Sequence, residues 1–451
     1  MKYIIVYFFF QFIYPSIDTL VLINSKVITK NDFLRRAEYT IRPTYCNSDN
    51  NVDKKIILNS LIAEKLYAIE NSDFEIKDRH HMNSINGIKE QAMRQVMLEE
   101  HVNSNISIND DKLKKLYLNS RFKYDVKFIT INHAQIGEIS SQDSFSDISK
   151  RLNISPNTKQ ISFFDCNNNE VFNYFYYGNN IIQRGDLIGP LVLKDNKAIF
   201  IKVLNKKTNV NLNQLAELEA YKKIEDFYVE FESSKIRNEF VANLMSGKQI
   251  EFRDDAFKNL ANYYYNDELA TQVDFEQVLF NIDQKDWKIR ELVDINNTRP
   301  LVFRDSYSNK KDFFIQFKLA LVDLVRDFYL TNKAYAYGFD NHAAVLNEVE
   351  IWTDYMLAHD MKNQLVANKS EIEEIKNEYD LIKNILTPKS NLLFKKYSDQ
   401  IVVDVDMFND IKLSSIDMVV INVNQPYQLL VPLFPKLTTK NDLNYGIKKP
   451  T

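Results

Sequence analysis

Glycine and proline are scarce in this chain. Its 451 residues contain 8 Gly and 10 Pro, about a third of ordinary usage. The glycines are Gly87, Gly137, Gly178, Gly185, Gly189, Gly247, Gly338 and Gly446. None stands in a GxGxxG, GxxxxGK(S/T) or GxSxG arrangement. The chain therefore lacks the loops that bring backbone against a phosphate and the strained turn that presents a nucleophile. All-β repeats with tight glycine turns are disfavoured on the same ground. With few residues to break them, long helices are expected. Apolar residues make up 45% and aromatics 13% of the chain, enough for a sizeable core. At ~150 residues per domain, the length suggests about three domains. A net charge of -4 gives no basic excess that would point to nucleic acid.

The six histidines, His80, His81, His101, His133, His342 and His359, form neither HExxH nor HxxxH. His80 and His81 are adjacent and would point about 100° apart on a helix, which is poor geometry for sharing a metal. Cys46 and Cys166 make no CxxC. They read as two partly buried thiols, or as one bridge in an exported chain. No metal ligand set, cofactor motif or catalytic residue is assigned. At the N-terminus, Lys2 precedes an apolar run from Ile4 to Ile17, interrupted by Gln11, Pro15 and Ser16 and ended by Asp18. This pattern predicts a secretory signal over residues 1–17. The run is short for a membrane span, and no later stretch could make one, so a soluble exported product is expected.

Hydrophobic spacing divides the rest. A strand at Thr19–Ile23, a turn at Asn24-Ser25 and a Thr29-x-x-Asp32 helix start open a helical module over 18–120. Its second helix runs from about Val52 to Ile69 and its third over about Asn83–His101. Ser107-x-x-Asp110 starts a fourth. The pattern changes at Phe122. Strands at Val126–Ile131, Ile161–Phe164, Leu187–Leu193 and Ala198–Leu204 alternate with short helices at Phe145–Leu152 and Val171–Tyr177. They make a small α+β domain over 121–207. A long helix and connector follow over 208–266. A second helical module covers 267–386, with Thr271–Val273 and Asp274-Phe275 matched to Ile28–Phe33 as a diverged copy of the first. A small α/β tail closes the chain over 387–451. The fold class is thus mainly α with an inserted α+β domain.

The insert carries a resemblance. Arg184-Gly185-Asp186-Leu187-Ile188-Gly189-Pro190-Leu191-Val192, a turn, and then Ile199-Phe200-Ile201-Lys202-Val203 resemble the C-terminal half of a parvulin (PpiC-type) peptidyl-prolyl isomerase. Tyr124–Ile131 resembles that family's opening strand. The flanks agree. Val21–Phe33 and Lys55–Leu66 resemble the start and the following helix of SurA-type chaperones of the bacterial periplasm. The resemblance implies a SurA-like N-terminal module followed by a parvulin-like domain. It also implies unfolded or extended exported polypeptides as partners, with no cofactor, nucleic acid or membrane span. The family's two histidines fall at Phe128 and Ile199, so the resemblance supports the shape of the isomerase more than its chemistry. Phe128, Phe163, Phe164, Phe175, Tyr176 and Ile199 are the expected peptide-binding residues. Two alternatives stay open. One is an active isomerase that uses an atypical polar group such as Asp165, Cys166 or Asp186. The other is a fixed structural subunit of a cell-envelope assembly.

Overall fold

A computed structural model describes residues 18–72, 79–140, 142–163, 175–177, 181–193, 197–208, 217–265, 273–367, 376–414, 430–445 and 447–448. The expected signal segment, Phe164, Asp165, Cys166 and the first four residues of the expected helix Val171–Tyr177 lie outside them. The fold is mainly helical, with small and mostly antiparallel sheets. Two compact units divide the chain. One takes the described residues up to Met97 and from Leu244 onward, and the other takes Leu98–Asn243.

The first unit opens with a hairpin of β1 (Thr19–Ile23) and β2 (Lys26–Thr29). Asn24 turns it at φ 53, a left-handed conformation that asparagine tolerates. Helix α1 (Lys30–Glu38) starts on the expected capping box. The Thr29 hydroxyl accepts from Asp32 N at 3.0 Å, and the Asp32 carboxylate accepts from Thr29 N at 3.0 Å. The side chain of Asn50 caps α2 (Asn51–Glu70). The 3–4 apolar spacing of α2 suggested one buried face, yet nearly every residue from Lys54 to Ala68 is buried. Its buried polar side chains are met by segments far downstream. The Lys54 ammonium donates to the carbonyls of Phe408 and Ile411 at 2.9 and 2.8 Å, and Asn59 donates to Lys440 O and Asp442 O.

Those segments come from the C-terminal part. Helix α11 (Glu378–Leu381) runs through a π-helical turn into α12 (Thr387–Lys396), followed by β10 (Ile401–Val403) and α13 (Val405–Asp410). Strand β10 pairs antiparallel with β1, with Val21 opposite Val403. β11 (Ile447–Lys448) lies parallel to β10, giving the order β11-β10-β1-β2. Phe33, Ile57, Leu66, Phe394, Phe408 and Phe434 share one core.

The rest of the first unit repeats the opening motif. β8 (Val278–Ile282) and β9 (Lys285–Lys288) form a hairpin that leads into α8 (Ile289–Asn296). The segment lengths match those of β1, its turn and β2. Leu279, Phe280, Ile282 and Trp287 are buried where Leu20, Val21, Ile23 and Ile28 are buried. The counterpart of Asp32-Phe33 is therefore Glu291-Leu292, not Asp274-Phe275. Asp274 sits in a turn ahead of the hairpin, where its carboxylate accepts from Glu276 N at 2.9 Å. β7 (Glu251–Phe252), α7 (Asp254–Tyr265) and the long α9 (Lys310–Ala336) complete this second core, and α10 (Ala343–Ala367) follows. Of the three tyrosines that end α7, Tyr263 and Tyr264 are half-buried and Tyr265 is exposed.

The chain enters the second unit within α3 (Arg79–Asn105) and leaves it within α6 (Glu217–Met245). Helix α4 (Asp110–Ser120) is capped by Asn109, whose side chain accepts from Lys112 N at 3.0 Å, so the cap lies two residues past the expected Ser107. β3 (Phe122–Asn132), β4 (Asn157–Ile161), β5 (Leu187–Val192) and β6 (Lys197–Thr208) form a sheet in the order β4-β3-β6-β5, with all neighbours antiparallel. Helix α5 (Phe145–Arg151) packs on one face with Ile129, Ile131, Ala198 and Phe200. The other face carries Tyr124, Val126, Ile199, Ile201 and Val203 beneath α4 and α6. Strand β4 falls before the expected Ile161–Phe164. It is an edge strand whose residues Asn157–Gln160 are exposed, so it needs no apolar face and gives no apolar signal.

Candidate functional site

The sheet of the second unit brings several of the expected peptide-binding residues together. Phe128 stands opposite Ile201, and Ile199 stands opposite Thr130, so Phe128 and Ile199 are diagonal neighbours on one face. Phe128 is half-buried and Ile199 is buried. Phe163, Phe175 and Tyr176 are buried in the same core. Phe163 and Tyr176 meet edge-on at 5.9 Å between ring centres, and Phe175 and Tyr176 at 5.3 Å. Their place in this conformation is the interior. Phe164 lies outside the described residues, as do Asp165 and Cys166. Asp186 is engaged in a turn, where its carboxylate accepts from Gln183 N at 2.7 Å.

Gly189 holds β5 close to β6. It sits at φ +129, where the pairing shifts register between Ile188 and Leu191. A Cβ at this position would lie 2.5 Å from Ile199 O. Gly189→Ala is therefore expected to destabilise the second unit by about 1–3 kcal/mol. Gly137→Ala, where an added Cβ meets nothing within 4 Å, should stay within about 0.5 kcal/mol. Urea unfolding of the two variants side by side checks both.

A solvent-connected cavity lies in the first unit, at residues that carry no recognisable motif. Its volume is ≈ 360 Å³. Helix α10 lines it with Tyr355, Ala358, His359 and Lys362, at i, i+3, i+4 and i+7 spacing on one face. The irregular segment 433–437 forms the facing wall with Leu433, Phe434, Pro435, Lys436 and Leu437, and Ile41, Glu64 and Glu378 complete it. Two consecutive arginines on α1 anchor the facing segment. Arg36 binds the Glu64 carboxylate bidentately at 2.9 and 2.8 Å, and its Nη2 also donates to Leu433 O at 2.7 Å. Arg35 binds Glu348 bidentately and donates to Leu430 O at 3.0 Å. Because these bonds go to main-chain carbonyls, they fix the wall whatever its side chains.

The electrostatics of the cavity are uneven. Lys436 Nζ reaches both oxygens of Glu378, at 3.1 and 2.8 Å. Burial, reinforced by the neighbouring Lys436, pulls the Lys362 ammonium below the ordinary lysine range, and Glu378 only partly offsets them. Burial, then Lys362 and His81, hold His359 below the usual histidine value. Burial, then the Glu64 charge, pushes the Tyr355 hydroxyl up. The rim is apolar and open to water, with Ile41 81% and Leu433 70% exposed.

Among the described residues, no group of three or more His, Cys, Asp or Glu side chains is placed to hold a metal ion. No described helix is long and apolar enough to cross a membrane. In comparisons with known proteins, no family model, no curated protein and no solved structure matches this chain.

Proposed function

We propose that this protein is an exported chaperone of SurA-like build that binds unfolded or extended polypeptides. On this reading, a parvulin-like second unit has lost efficient isomerase chemistry. The observation that carries the proposal is the apolar cavity of the first unit, with exposed Ile41 and Leu433 at its mouth. Large apolar side chains held in water at the edge of a pocket are the usual mark of a surface that receives apolar partners. Two further features support it. The described strands of the second unit form a four-stranded antiparallel sheet with helices packed on both faces, a small α+β unit compatible with this reading. The positions matched to the family's histidines, Phe128 and Ile199, offer no hydrogen-bonding side chain.

Three measurements test the proposal on the chain from residue 18 onward. The wild type should bind a permanently unfolded polypeptide and slow the aggregation of a heat-denatured one. Replacing Ile41 and Leu433 together with aspartate should weaken that binding about tenfold with little change in melting temperature. Exchange spectroscopy on an Ala-Pro peptide should show no acceleration of cis/trans interconversion. A clear acceleration would restore the isomerase reading and direct mutagenesis to the polar groups near Asp186. Absence of both binding and exchange would favour a subunit with a fixed partner.

A further inference from the structure

The cavity on α10 has a charge left over. Three cationic or ionisable nitrogen groups line it: His359, Lys362 and Lys436. Its two carboxylates are already engaged, Glu64 with Arg36 and Glu378 with Lys436. Among the described residues, Lys362 makes no hydrogen bond or ion pair. A half-buried ammonium beside apolar walls is poorly solvated and favours an anion. One unpaired charge matches a single carboxylate, whereas a phosphate carries more charge and calls for several converging donors. The apolar wall, Ala358 with Leu433, Phe434, Pro435 and Leu437, then asks for a hydrocarbon or aromatic group next to that carboxylate. The cavity volume of ≈ 360 Å³ equals the liquid volume of about twelve water molecules. That is room for the last one or two residues of a chain.

We propose that this cavity receives the free C-terminus of an extended polypeptide, with the terminal apolar side chain on the Ala358–Leu437 wall and the terminal carboxylate on Lys362 Nζ. The inference rests on the polypeptide-binding reading above and gives it a specificity. Chain ends with an apolar last residue would be taken in preference to internal segments of the same composition. A charge-assisted bond of this kind is worth about a tenfold difference in affinity.

The test uses the chain from residue 18 onward and a fluorescein-labelled octapeptide ending in Ala-Phe, made as the free acid and as the C-terminal amide. Fluorescence anisotropy should show the acid binding about tenfold more tightly than the amide. In Lys362→Met the acid should fall to the affinity of the amide, and Lys362→Arg should keep the preference. Removing a half-buried unpaired charge should not lower the melting temperature, and Lys362→Gln serves as a second neutral variant. Equal binding of acid and amide, or a preference that survives in Lys362→Met and Lys362→Gln, overturns the inference. If an unfolded polypeptide still binds in that case, the chaperone reading stands without it. Binding of octanoate that depends on Lys362, with no binding of the peptide acid, overturns the assignment to chain ends and makes the cavity a fatty-acid site.

Discussion

Asp354→Ala is expected to lower the stability of the first unit by about 3–5 kcal/mol, because it strands a buried cation. Asp354 is 1% exposed. Its Oδ2 accepts from Lys65 Nζ at 2.8 Å and its Oδ1 from Lys26 Nζ at 2.7 Å. Lys26 has a second partner in Glu350 at 3.2 Å, but Lys65 is almost wholly buried and would keep its charge without a counterion. Thermal and urea unfolding would read the loss. The double variant Asp354→Leu with Lys65→Met should recover most of it, since removing both charges leaves nothing unpaired. A loss under about 1 kcal/mol for Asp354→Ala would mean that water reaches Lys65. The pH dependence has a definite sign. Burial works against the Lys26 ammonium, but Asp354 and Glu350 outweigh it and raise its pKa above 10.5. A raised lysine value stabilises the fold below its unfolded pKa and stops doing so as pH climbs through the folded one. The Lys26 contribution should hold through neutrality and fade only above pH 10.5.

Tyr176→Ala should cost the second unit about 3–5 kcal/mol, the range for emptying a large aromatic site in a packed core. Tyr176 is 1% exposed and meets the ring of Tyr124 edge-on at 5.8 Å. Its hydroxyl donates to Phe122 O at 3.1 Å. Tyr176→Phe keeps the ring and removes the hydroxyl, which also donates to Ile161 O at 3.5 Å, for about 1 kcal/mol. Amide exchange along β3 and β6 would resolve the two variants. If Tyr176→Ala kept its melting temperature and lost only peptide affinity, the ring would belong to a binding surface instead.

What the sequence could show depended on how far apart the partners lie along the chain. The β1–β2 hairpin and its capping box were legible because Thr29 and Asp32 are three residues apart. β5 and β6 were legible because β-branched and apolar residues fill both. The exposed edge strand at Asn157–Gln160 carries no apolar signal, whereas the apolar letters of Ile161–Phe164 that follow it do. Asp274-Phe275 matches Asp32-Phe33 in letters, yet it lies ahead of the second hairpin. Burial of Trp287 opposite the place of Ile28 gives the true alignment. The burial of α2 all round and the cavity on α10 escape the sequence for one reason. Nothing local marks Lys54 and Asn59 for burial, and what covers them comes from residues beyond 400. Tyr355, His359 and Lys362 share one face of α10 by their spacing. Nothing local showed that residues 433–437 would form a wall opposite it.

The shared core of residues 19–67 and 387–445 also sets a timetable. The hydroxyl of Tyr445 hydrogen-bonds Asn59 across 386 residues of chain. At synthesis rates of about 5–20 residues per second, that interval lasts roughly 20–80 s. Until it ends, the free edge of β1 and the Lys54 and Asn59 side chains of α2 lack the partners that cover them. An edge strand left open for so long is a template for wrong pairing. Contacts so distant along the chain also slow folding itself, because each must close a long loop before it is rewarded. A nascent chain of this protein would therefore need sheltering at its own beginning while its end is still being made.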